Sequence, residues 1–183
     1  MFSVWPLALA LVLCTPAVAG NVIELDMRED KSVEGRYVLF CSRYAREGSR
    51  NGDAFVIVAD DNAFDTLHVE DAFGLRMQND KMVFGPVTRK HIRAFSKRKD
   101  DPGSQVLIVQ ADNAQCDAVK KIIERWASQD KYEYPIEVEN TDMTLAIAKK
   151  LGLYPPYRRV WDPINPITYY VDLGKLNRGY AEK

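Results

Sequence analysis

The feature that most restricts this chain is the order of its periodicities: the strongest strand-like runs come first, and helical spacing begins only after residue 111. Residues 36–41 (RYVLFC), 54–59 (AFVIVA) and 105–110 (QVLIVQ) are short, β-branched and aromatic, as buried strands are. Weaker strand signals lie at 22–25, at 66–77, at 81–84, and at 88–95, where Val87, Ile92 and Phe95 suggest alternation. Residues 44–53 (YAREGSRNGD) carry two glycines, Ser and Asn, and read as a loop.

Helical spacing follows. Asp112 or Asn113 is a candidate N-cap ahead of Val119, Ile122, Ile123 and Trp126. A second helix is predicted over 141–151, with Asn140 and Thr141 as cap residues, lysines in its last turn and Gly152 as its stop. Residues 167–171 alternate again and are expected to return to the sheet. Strands followed by helices predict an α+β domain, an antiparallel sheet packed against two main helices. The chain has neither internal repeats nor low-complexity segments.

Residues 4–14 (VWPLALALVLC) are apolar and uncharged, and Ala17-Val18-Ala19 before Gly20 is a small-x-small pattern. The run is shorter than the ~20 residues that span a bilayer, so 1–19 is expected to be a cleaved signal peptide. Leu13 stands before Cys14, where a lipid-attachment site needs a small side chain. Export to the periplasm or the exterior is therefore expected, with residues 20–183 forming one domain and no transmembrane segment in the mature chain. The net charge is −1, and the basic patch from Arg89 to Lys99 runs directly into Asp100-Asp101, so a nucleic-acid groove is not expected. Beyond the leader only Cys41 and Cys116 remain. In an oxidising compartment they are a candidate disulfide, the alternatives being two buried thiols or one reactive thiol.

A family pattern is carried by Gly52-Asp53-Ala54-Phe55-Val56, Phe73-Gly74-Leu75, the 106–109 strand, the 115–126 helix ending at Trp126, Tyr132 and Tyr134, Glu139-Asn140-Thr141-Asp142-Met143, and Leu151-Gly152-Leu153 with Pro155. In this order and spacing, over roughly residues 36 to 177, the chain resembles the circularly permuted papain-like superfamily, the NlpC/P60-related cysteine peptidases and acyltransferases. The resemblance implies a thiolate at a helix N-terminus, where the dipole lowers its pKa, and a His base on a neighbouring strand. In this sequence the nucleophile's position falls on Asn140 and that of the His on Asp53. Neither side chain does that work: an amide is no thiolate, and a carboxylate titrating near pH 4 is a weak base at neutral pH.

The resemblance thus implies a degenerate site, with Asp53 and Asn140 as vestigial cleft positions. It implies a non-catalytic exported protein that binds a cell-envelope ligand or a protein partner. The alternative is a cysteine amidase, peptidase or acyl hydrolase with a displaced pair, for which Cys116 and His91 are the candidates. His68 and His91 are the two histidines, each on a predicted strand. Asp60, Asp61, Asp65, Glu70 and Asp71 show no metal-ligand spacing, Gly-rich phosphate loops are lacking, and no cofactor is expected. Tyr154-Pro155-Pro156-Tyr157 and Trp161 form an aromatic, proline-rich segment, the candidate contact surface.

Overall fold

The computed structural model describes residues 22–45, 52–61, 68–79, 81–129, 135–157 and 165–178. The expected leader, the inside of the 44–53 loop and Trp161 lie outside these residues. Six strands form one sheet: β1 (Val22–Asp26), β2 (Arg36–Tyr44), β3 (Gly52–Ala59), β4 (Val69–Gln78), β5 (Lys81–Pro86) and β6 (Ser104–Ala111), in the order β1-β6-β2-β3-β4-β5. Pairing is antiparallel throughout except for β1 on β6, which run parallel. The fold is α+β, as the order of periodicities predicts, but the sheet is mixed.

The three strongest runs form the three central strands. Each is covered on both faces, which is why they read as continuous apolar runs. Every residue of β3 is buried. Edge strand β1 alternates instead: Ile23 and Leu25 are buried, Glu24 and Asp26 exposed. On one face Val38, Phe40, Val56, Phe73, Leu107 and Val109 meet three helices, α2 (Asn113–Ala127), α3 (Ile136–Lys150) and α4 (Pro166–Arg178). On the other face Leu39, Cys41, Phe55, Ile57 and Ile108 meet Ile92 and Phe95 of the short α1 (Arg89–Ser96).

Three sequence expectations are corrected. Residues 88–95 are helical: the Thr88 hydroxyl accepts from His91 N–H at 3.3 Å as an N-cap, and Ile92 and Phe95, three apart, share the buried side. Residues 167–171 lie in α4, not in the sheet. Pro166 opens that helix, Asn165 Oδ1 accepts from Ile167 N–H at 3.0 Å, and Ile167, Tyr170, Leu173 and Asn177 make a buried stripe. Finally, α3 starts at Ile136, five residues earlier than Thr141. Pro135 stands at its N-cap, and Glu137 and Glu139 in the first turn complement the dipole. Asn140 and Thr141 are therefore interior helix residues.

Close approaches fix the packing of α4. A Cβ on Gly174 would collide with Gln105 Nε2 and lie 2.9 Å from Ile23 Cδ1. That absent side chain lets Gln105 donate to the Tyr170 and Val171 carbonyls at 3.3 and 3.2 Å.

Candidate functional site

Asp53 is the most deeply buried charge on the α1 face, with a side chain 3% exposed. Its place follows from register: Asp53 pairs with Arg43 across β2–β3, so both side chains leave the same face. Arg43 Nη2 donates to Asp53 Oδ2 at 2.6 Å. The Met77 amide donates to Oδ1 at 3.0 Å, and His91 Nε2 lies 3.1 Å from the same oxygen. Arg43 also rests its guanidinium carbon 5.2 Å from the Phe95 ring centroid. Phe55 packs edge-on against both His91 and Phe95. Burial raises the Asp53 carboxyl, but the His91 and Met77 hydrogen bonds and the His91 and Arg43 charges outweigh it and hold the group below its ordinary value.

This is a histidine oriented by a carboxylate, half of a base-and-orienter arrangement. Among the described residues no hydroxyl or thiol hydrogen-bonds the His91 ring. Among the described residues the thiol on this face is that of Cys41, which is fully buried. Burial pushes its pKa well up, and the Asp53 charge adds to that. Cys116 lies in the first turn of α2 on the opposite side of the sheet, fully buried, its thiol pushed up to about 11 by burial with Arg36 opposing. Its helix position does not activate it.

The expected constellations are thereby separated. Cys41 and Cys116 are free thiols in different cores with the sheet between them, so the candidate disulfide is not formed. Cys116 and His91 are likewise divided by the sheet and make no pair. Asp53 is tied to α1, whereas Asn140 belongs to α3 on the other face, so these two positions line no common cleft. Asn140 is 1% exposed, and neither side-chain polar atom makes a hydrogen bond of good geometry, although it approaches the Tyr170 hydroxyl closely enough to restrain that group's pKa. The Thr144 hydroxyl donates to the Asn140 carbonyl at 2.8 Å and lies 2.9 Å from the Tyr170 hydroxyl, whose proton is then available to Thr144 Oγ1.

Of the aromatic segment, Tyr154 and Tyr157 are exposed, and Trp161 lies outside the described residues. Gly152, at φ +74°, turns the chain out of α3, and Leu153 N–H bonds back to Ala148 at 2.9 Å. Asn177 of α4 then clamps Tyr154: its Oδ1 accepts from the Tyr154 amide and its Nδ2 donates to the Tyr154 carbonyl, both at 2.9 Å. Tyr154 is 56%, Tyr157 89% and Leu176 51% exposed. Sequence reasoning found these tyrosines but missed Leu176 and the Asn177 clamp, because α4 read as a strand. It also missed Arg43 and the Asp53–His91 contact; a lone carboxylate opening a wholly buried strand was the available signal.

Among the described residues no group of three or more His, Cys, Asp or Glu is placed to hold a metal ion, and no helix is long and apolar enough to cross a membrane. Comparisons of the chain with protein-family models, with curated proteins and with solved structures find no match.

Proposed function

We propose that this is an exported, non-catalytic binding domain that engages a cell-envelope ligand or protein through the surface at the ends of α3 and α4. The observation that carries this reading is that Tyr154, Tyr157 and Leu176, three of the four exposed large hydrophobic side chains among the described residues, lie on the segment that leaves α3 and on the last turn of α4, which the Asn177 side chain joins at Tyr154. Isolated exposed apolar residues are ordinary, but several of them on two segments joined by a side-chain clamp mark a contact surface. The thiols support the non-catalytic half: both are buried and raised in pKa, the His91 ring is engaged by Asp53, and Cys116 lies across the sheet from it. The leader pattern supports export. The reading does not draw on the papain-like resemblance, because Asp53 acts as an ion-pair centre and Asn140 as a core residue on opposite faces of the sheet, and the vestigial cleft it implies is not formed.

The test compares wild type with Cys41→Ala and Cys116→Ala on ester, peptide and peptidoglycan substrates. No thiol-dependent turnover is expected. Hydrolysis by wild type that either substitution abolishes in a folded protein would establish the cysteine-hydrolase alternative.

A further inference from the structure

We infer that the C-terminal ends of α3 and α4 form a docking surface for an anionic lipid membrane. The inference rests on the reading of this surface as the binding face and names the chemistry of what it meets. Lys149 and Lys150 in the last turn of α3 precede the segment that carries Tyr154 and Tyr157, and Lys175 and Arg178 flank Leu176 in the last turn of α4, all four exposed. Asp172 faces Lys175 at 4.0 Å, leaving a local excess of three positive charges over these side chains. Further along the rim, Asp26 is neutralised by Arg28 at 2.8 Å, and Glu24 is exposed on β1.

Cations at helix C-termini also serve the helix dipoles, and that accounts for their position. It does not account for the exposure of Tyr157 and Leu176 beside them. Basic residues ringing exposed aromatic and aliphatic side chains are the composition of interfacial membrane contacts: the cations meet anionic headgroups, and tyrosine rings sit at headgroup depth. The geometry favours a lipid surface over a peptide. Tyr157, 89% exposed, stands out from the fold, whereas a peptide-recognition aromatic lines a groove. The chain presenting it is stiff, with Pro155-Pro156 restricting φ and Asn177 holding Tyr154 through two hydrogen bonds, so little ordering entropy is lost on docking.

The experiment is vesicle co-sedimentation of the full chain as recovered from expressing cells. Phosphatidylcholine vesicles are compared with vesicles containing about one third phosphatidylglycerol, at low and high salt. Three net charges near the surface predict binding on the order of 100-fold tighter on the anionic vesicles, lost in high salt. Lys149→Gln with Lys150→Gln should weaken anionic binding by about 30-fold, and Tyr157→Ser should weaken it without changing its salt dependence. A thermal melt of each variant checks that the fold is kept. Equal binding to both vesicle types, or full binding by both folded variants, overturns the inference. So does preferential binding of a polyglutamate peptide through the same residues; that result would keep the surface as a binding face and make its partner an acidic protein.

Discussion

Replacing Asp53 by Ala removes the acceptor for three donors at once: Arg43 Nη2, the Met77 amide and His91 Nε2. Removing one member of a buried ion pair costs about 3–5 kcal/mol, because the partner charge is left without compensation. Here the side chains of Arg43 and His91 are 12% and 20% exposed, so water restores part of the loss and the lower end, about 3 kcal/mol, is expected. For a chain of this length that lowers Tm by roughly 6–12 °C. The pH dependence has a definite sign. The folded carboxyl titrates below its unfolded value, so its contribution is fully present above about pH 4 and is lost as the pH falls through the lower folded value. Denaturant unfolding followed by circular dichroism should show a gap between wild type and Asp53→Ala at pH 7 and pH 5 that narrows at pH 3. A gap below about 0.5 kcal/mol at pH 7, or one as large at pH 3 as at pH 7, would refute the assignment of this cluster as an ion-paired clasp between α1 and the sheet.

Gly174→Ala should cost about 1–3 kcal/mol in the same assay, since the new methyl displaces Gln105 from two carbonyls and meets Ile23. A neutral result would mean that α4 does not sit this close to β6. Tyr170→Phe, which removes a buried hydroxyl contact with Thr144, should cost about 1 kcal/mol, and no loss would show that the Thr144 contact contributes nothing to stability.

The strands were legible because central strands covered on both faces are written as uninterrupted apolar runs, and β2, β3 and β6 all are. The Asp112 start of α2 was legible for a similar local reason: the Asp112 amide donates to Gln115 Oε1 at 3.0 Å, a capping box within four residues. The errors arose where the local pattern was ambiguous. In α1 the apolar positions Ile92 and Phe95 are too few to establish a period, and in α4 the stretch Ile167-Thr168-Tyr169-Tyr170-Val171 mimics alternation while the buried stripe continues through Leu173 and Asn177. For α3 the strong cap residues Asn140 and Thr141 drew the boundary inward, although Thr141 instead bonds back to the Glu137 carbonyl at 2.8 Å inside the helix. The site depended on these errors. With α1 read as a strand, His91 had no reason to meet Asp53, and which face of the sheet each cysteine occupies is decided by strand register and by where α2 packs, neither of which a local window contains.

The central claim is that neither thiol serves as a nucleophile, and native-state alkylation tests it most directly. Iodoacetamide at neutral pH, followed by peptide mapping, reads Cys41 and Cys116 separately. Both are predicted to stay unmodified in the folded protein on the timescale in which a free thiol reacts fully, and to be modified promptly once the chain is unfolded in guanidinium chloride. Rapid labelling of either cysteine in the native state would contradict the account and point to an activated thiol.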